Sequence, residues 1–296
     1  MKCLVTGGAG FIGSNLVDKL ISLDYDVIVI DNESAEENEQ FYWNQNAINY
    51  KYDICNYNKI RPLFHGVDYV FHLAAQSRIQ PSIINPNITF KVNCEGTLNV
   101  LNAAKENNIS KIIYSSTSSY YGLKNASPSK ENMSRDCLNP YSYTKAFGED
   151  LCKMYYQLYD MDIFVLRYFN VYGERQPTKG QYAPVIGIFH KQYKNNQKMT
   201  IVGDGMQRRD YTHVQDIVSA NIKIINSNLN RFETFNVGTG INYSVLEIAE
   251  MFGGPYKFIP ERDGEARETL ADISYIKKKL SWVPSIMIKD WIKDNI

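Results

Sequence analysis

Tyr141 and Lys145, in the stretch "NPYSYTKAFGED" (139–150), stand four residues apart. On a helix that spacing places both side chains on one face. A phenol titrates near ~10, so it takes a proton from a hydroxyl at neutral pH only where a positive charge steadies its ionised form. Lys145 is spaced to supply that charge. Spacing alone decides nothing, because Tyr120/Lys124 and Tyr275/Lys279 share it in a chain with 22 tyrosines. The segment "SSYYGLKNASPS" around Tyr120 is rich in turn residues, which disfavours helical geometry there. "ISYIKKKL" reads as the solvated face of a surface helix near the C-terminus. Tyr141, by contrast, follows Pro140 at a helix start, and Ala146, Phe147, Leu151, Met154 and Tyr155 continue an apolar stripe. It also lies downstream of a strand ending in "SSTSS", whose hydroxyls can meet the phenol. Tyr141 and Lys145 are the candidate pair.

A second constellation lies at the start of the chain. "TGGAGFIG" spaces Gly7, Gly10 and Gly13 between a β-branched run and a helix on which Ile12, Leu16, Val17, Leu20 and Ile21 share a face. Glycines there let backbone approach a pyrophosphate, whose charge suits a helix N-terminus. Asp31 ends the next strand, where an acid accepts from a ribose 2′-hydroxyl and repels a 2′-phosphate, favouring NAD over NADP. Asp53 and Ile54, after the third strand, are candidates for the adenine edge, with helix capping near Asn56 the alternative for Asp53. A nicotinamide cation beside Tyr141 would add to the pull of Lys145.

The elements that must hold these residues alternate. Strands are expected at "KCLVT", "DVIVI", 49–53, 68–74, 111–116 and 162–169, with helical patterns between them. That order predicts an α/β, Rossmann-like, doubly wound parallel sheet with ligands at its carboxyl edge. A chain of 296 residues exceeds one ordinary core, so a smaller C-terminal α/β substrate lobe is expected. The division expected is a dinucleotide-binding domain over 1–168, joined by about 210–237, and a lobe from 169–209 and 238–296. The acidic "DNESAEENEQ" (31–40) reads as a solvated loop.

Lys plus Arg and Asp plus Glu both number 32, and the basic residues are spread along the chain. Neither nucleic acid nor a membrane surface is an expected partner. Five cysteines without C-x-x-C, and four scattered histidines, predict reduced thiols, a cytoplasmic setting and no metal. No run approaches the ~18 apolar residues of a membrane span.

Taken together, "VTGGAGFIG", "DN" at 31, "HLAAQ", "VNCEGTLNVLNAA", "YSSTSSYYG", "NPYSYTK", "LRYFNVYGERQ", "GDGMQRRDYTHVQD", "FNVGTG" and "LADISYIKKKLSW" resemble the extended short-chain dehydrogenase/reductases that act on nucleotide sugars, especially UDP-hexose 4-epimerases. The resemblance runs nearly end to end. It implies NAD as cofactor, held by Gly7, Gly10, Phe11, Ile12, Gly13, Asp31, Asn32, Asp53, Ile54, Leu73, Ala74, Ala75, Asn93, Tyr141, Lys145 and Tyr168. It implies a catalytic trio of Thr117, four residues before the tyrosine of "YG", with Tyr141 and Lys145. Tyr141 would remove the O4 proton while C4 gives up a hydride, and the keto sugar would turn over and take the hydride back on its other face. Thr117, Ser118, Asn170, Tyr182, Arg209, Arg262 and Thr269 match positions that contact a UDP-sugar, Arg209 being preferred to the adjacent Arg208. An arginine fork suits a diphosphate.

Related 4,6-dehydratases carry Asp-Glu directly after the threonine, and related UDP-glucuronate decarboxylases carry a Glu in this segment. Ser118 and Ser119 stand there in this chain, and hydroxyls do not replace a carboxyl acid and base. Thr269, three residues before Asp272, is small where members restricted to plain hexoses often have Tyr. UDP-GlcNAc/UDP-GalNAc is therefore expected alongside or ahead of UDP-Glc/UDP-Gal. The alternatives are another nucleotide sugar (a UDP-uronic acid, a CDP- or dTDP-sugar) or a non-catalytic NAD-binding sensor. The helices near 86–107 and 140–159 are expected to pair in a homodimer.

Overall fold

The computed structural model describes residues 1–180, 182–229 and 231–296. Six strands enter the main sheet in chain order: β1 (Lys2–Thr6), β2 (Asp26–Asp31), β3 (Ile48–Lys51), β4 (Tyr69–His72), β5 (Lys111–Thr117) and β6 (Ile163–Tyr168). A seventh, Phe232–Val237, joins at the edge beside β6. The spatial order is Phe232–Val237, β6, β5, β4, β1, β2, β3, with every pairing parallel. The order reverses between β1 and β4, where a crevice opens at the strands' carboxyl ends.

Alternation along the strands builds two cores. Cys3, Val5, Val27, Val29, Phe164 and Leu166 face one side, against Leu16, Val17, Leu20, Ile217 and Val218. Leu4, Ile28, Ile30, Ile163 and Val165 face the other, against Val100, Leu101, Leu151 and Tyr155. Both faces are covered by helices, which is why these strands read as unbroken apolar runs. A third core (Tyr172, Ile186, Phe189, Met199, Ile201, Ile248, Phe252, Trp291) lies in the lobe. The helix Ser274–Leu280 instead sends Ile276 and Leu280, with Trp282 after it, into the first core.

The acidic stretch after β2 is the loop expected, with Ser34, Ala35, Glu36, Glu39 and Gln40 exposed, but several of its side chains have fixed places. Glu33 pairs with Lys51 and accepts from the Trp43 indole at 2.8 Å, Glu39 pairs with Lys191 at 2.5 Å, and Glu37 and Asn38 line the central cleft. Lysines distant in sequence pair with Glu33 and Glu39, which the composition of the run could not disclose.

Candidate active site

A single cleft of about 800 Å³ runs from the glycine turn, across the carboxyl edge of β4, β5 and β6, to the lobe. The turn is fixed by crowding. Gly7 has φ +71°, and a Cβ on Gly13 would lie 2.1 Å from the Gly7 carbonyl oxygen. The helix Phe11–Ser22 therefore starts hard against β1, its N-cap Gly10 offers no side chain, and no acid occupies its first turn. The first amides of a helix lack internal partners, and here they border the cleft through Phe11, Ile12 and Gly13. This is a built anion cradle. Asp31 stands behind it, its carboxylate accepting from Ala9 N at 3.1 Å and Glu33 N at 2.8 Å. Burial pushes that carboxyl upward and these amides hold it down. The donor set fits a dinucleotide.

β5 delivers Thr117 and the turn after it delivers Ser118, both buried in the cleft wall. Tyr168, opposite Thr117 in the register, receives Ser115 Oγ at 3.1 Å and Asn221 Nδ2 at 2.9 Å. The helix Pro140–Tyr159 opens on a capping box: Asn139 Oδ1 accepts from Ser142 N, and the Ser142 hydroxyl accepts from Asn139 N. That box fixes the first turn, which carries Tyr141. Ser82 adds a clamp by accepting from Tyr141 N at 3.1 Å.

The electrostatics differ from the expectation that Lys145 draws the phenol down. Burial pushes Tyr141 upward, opposed by polar contact with Thr117 and by the charge of Arg78. The Lys145 ammonium lies 4.3 Å from the centroid of the Tyr114 ring, and burial pushes it down to about 8 while Cys152, Glu149 and Cys94 pull it up. Sequence spacing puts the two residues on one helical face, but the lysine stem is long and its head settles against β5.

The two rival pairs go elsewhere. Tyr120 lies under the Arg167 guanidinium at 3.5 Å, while Lys124 pairs with Asp136 at 3.5 Å. Tyr275 and Lys279 both bind Glu233, at 2.6 and 3.1 Å.

From the lobe come Asn170, Tyr182, Arg209, Arg262 and Thr269, all bordering the cleft. Asn170 Nδ2 donates to Thr269 Oγ1 at 2.9 Å. Arg209 pairs with Glu265 at 3.5 Å, whereas Arg208 points away to Asn242 and Glu247. The Arg262 guanidinium lies 5.5 Å from the Tyr182 ring. Asp210 ties these strands together, its carboxylate accepting from Thr239 N and Oγ1, Gly240 N and Ala271 N.

Asn32, Ile54, Leu73, Ala74 and Ala75 also line the cleft, but Asp53 and Asn93 do not. Asp53 accepts from Asn32 Nδ2 at 3.1 Å and from Cys55 N at 2.8 Å, so it braces the wall from behind. Asn93 sits in the wide helical turn Lys91–Gly96, bonded to Gln76 and to Thr144 Oγ1, where it ties the loop after β4 to the helix of Tyr141. His72 is a further brace, bonded to Thr6 at 2.7 Å and Thr97 at 3.0 Å and pushed by burial down to about 3, hence neutral. The sequence reading missed Arg78, Glu37, Gln207 and Tyr211 in the cleft wall. Arg78 and Glu37 lie in loops without periodicity, and no pattern singles them out.

Comparison with known proteins gives a consistent result. The family model described as the NAD dependent epimerase/dehydratase family matches residues 3–238. A UDP-glucose 4-epimerase of Mycolicibacterium smegmatis is 33% identical, covering 100% of this chain and 97% of that protein. Among solved structures, a UDP-glucose 4-epimerase of Thermotoga maritima with UDP-glucose superposes with TM-score 0.93 at 35% identity, over 100% of this chain and 97% of the other. A UDP-N-acetylglucosamine 4-epimerase of Methanobrevibacter ruminantium, in complex with UDP-N-acetylmuramic acid, gives TM-score 0.92 at 34% identity, over 99% and 96%. Among the described residues no helix is long and apolar enough to cross a membrane.

Proposed function

The chain belongs to the NAD dependent epimerase/dehydratase family, and on that premise we propose that it interconverts UDP-GlcNAc and UDP-GalNAc as well as, or better than, UDP-Glc and UDP-Gal. It is an NAD-dependent 4-epimerase of a UDP-sugar. The observation that carries the reading is the meeting of Thr117, Tyr141 and Lys145 with the glycine turn in one cleft that holds hydroxyls, not carboxylates, at 118 and 119.

NAD, when bound, supplies the acceptor and later the donor of the C4 hydride. The chain's own residues do the rest. The glycine turn and the amides of Phe11, Ile12 and Gly13 hold the pyrophosphate, and Asp31 takes the ribose hydroxyls. Tyr141 takes the O4 proton as C4 is oxidised and returns it as C4 is reduced. Thr117 holds the sugar oxygen beside the phenol, and Lys145 adds positive charge to the nicotinamide side. Arg209 and Arg262 take the diphosphate, where fixed forks suit its oxygens. Ser118, Asn170, Tyr182 and Thr269 face the sugar. The side chain of Thr269 is short, which leaves room for an acetamido group at C2.

A homodimer is part of the proposal. Ile84, Phe90, Leu98, Phe147, Met154 and Leu158 are exposed on neighbouring helices, and an apolar surface of that kind favours association. A cytoplasmic setting fits the five free cysteines. The deciding experiment incubates purified protein and NAD with UDP-Glc, UDP-GlcNAc, UDP-glucuronic acid and dTDP-glucose, and separates the products by chromatography. Interconversion of the N-acetylated pair at a rate equal to or above the plain pair is expected. Strict preference for the plain hexoses removes the substrate reading, and no turnover of any of the four removes the enzymatic one.

A further inference from the structure

Resting on the reading of Tyr141 as the acid–base group, we propose that Arg78 is a positioning residue for the proton transfer, a guanidinium held against the phenol to stabilise its ionised form. Arg78 immediately precedes the short helix Ile79–Ile84. Ser82 N donates to the Arg78 carbonyl at 3.2 Å, and the Ser82 hydroxyl accepts from Tyr141 N at 3.1 Å. One residue thus pins the turn bearing the cation to the turn bearing the phenol. Gln80 anchors the same turn from outside, donating to the Asp263 carbonyl at 2.8 Å.

The side chain of Arg78 lines the cleft with Tyr141. Its Nε is shut off from solvent without a partner. A buried donor left in that condition is costly, and a charged one more so. The charged or titratable groups that act on Arg78 are Glu37, from the loop after β2, and Tyr141 itself. Those around Tyr141 are Arg78, Tyr114 on β5 and, on its own helix, Lys145, which sits over the Tyr114 ring.

The two cations divide the work by chemistry. Lys145 titrates at about 8 and loses its charge as pH rises. Burial lowers Arg78 as well, against the pull of Glu37 and Tyr141, but a guanidinium starts about two pH units above an ammonium and so holds its charge to higher pH. Over the range in which a buried phenol ionises, Arg78 is therefore the lasting positive charge beside it. During turnover the proton passes from the sugar O4 to the phenolate oxygen and back; Arg78 neither gives nor takes a proton.

The test titrates Tyr141 directly, by the ultraviolet absorbance of phenolate in the wild type minus Tyr141→Phe, repeated in an Arg78→Gln background. The midpoint in Arg78→Gln is expected to rise by about one pH unit, so that ~tenfold less phenolate is present at a fixed pH. Arg78→Lys restores part of that shift, and Glu37→Gln, which removes the competing carboxylate, moves the midpoint the other way. An unmoved midpoint in folded Arg78→Gln overturns the proposal. So does an unmoved midpoint accompanied by weaker binding of NAD or UDP-glucose in calorimetry, which makes Arg78 a grip for a ligand anion. Should Arg78→Gln not fold, Arg78→Lys and Glu37→Gln decide by the same criterion. The titration needs no turnover, so absence of epimerisation defeats the activity reading without touching this comparison.

Discussion

Replacing Lys145 by Met should make the protein more stable while disabling it. Lys145 is 4% exposed, and burial moves its ammonium from 10.5 to about 8. At ~1.36 kcal/mol per pH unit, that displacement corresponds to a penalty of about 3 kcal/mol for keeping the charged form folded at neutral pH. The ring of Tyr114, 4.3 Å away, returns about 1–2 kcal/mol through cation–π attraction that methionine forgoes. The expected net gain for Lys145→Met is about 1–2 kcal/mol near pH 7. Its pH dependence has a definite sign. A lysine whose folded value is depressed binds fewer protons folded than unfolded between about 8 and 10.5, so wild-type stability climbs through that window. The variant's advantage must shrink over the same interval and vanish above it. Urea unfolding followed by tryptophan fluorescence, at about pH 7 and about pH 10, reads both numbers. A variant less stable than wild type near neutrality, or an advantage that does not change with pH, refutes the reasoning.

Tyr141→Phe should lower kcat by ~10²–10⁴ while leaving KM for the UDP-sugar nearly unchanged, as steady-state kinetics would show. Thr269→Tyr fills the space beside Asn170 and should reduce kcat/KM for the N-acetylated pair at least ~tenfold relative to the plain pair in parallel assays. Arg167→Met strands the Glu149 carboxylate, which Arg167 meets at 2.6 and 3.0 Å in the interior, and should cost about 3–5 kcal/mol by urea unfolding.

The fold was legible because its inner strands are buried on both faces. Apolar runs such as "DVIVI" and "DIFVLRYF" admit little besides interior parallel strands when helical stripes separate them, and β2 and β6 occupy those segments. The start of the Tyr141 helix was legible for a local reason: Asn139, Pro140 and Ser142 carry the cap chemistry in four consecutive residues. The direction of a side chain was not. Four-residue spacing gives a face, whereas the contact of Lys145 with Tyr114 depends on a strand 31 positions earlier in the chain. Arg78 was hidden for a related reason, since a loop residue acquires meaning from what folds against it. Asp53 and Asn93 were chosen for side-chain chemistry, and the hydrogen bonds they make to Asn32, Cys55, Gln76 and Thr144 could not be read from it.

The amide of Asn139 has two allegiances. Its oxygen begins the helix of Tyr141, and its nitrogen donates to the Gly264 carbonyl at 2.9 Å, in a segment that belongs to the outer lobe. Any swing of that lobe to admit or discharge a nucleotide sugar pulls on the turn where the phenol is mounted. Together with the Gln80 amide, which donates to the neighbouring Asp263 carbonyl, this carboxamide joins the mount of the phenol to the segment that carries Arg262.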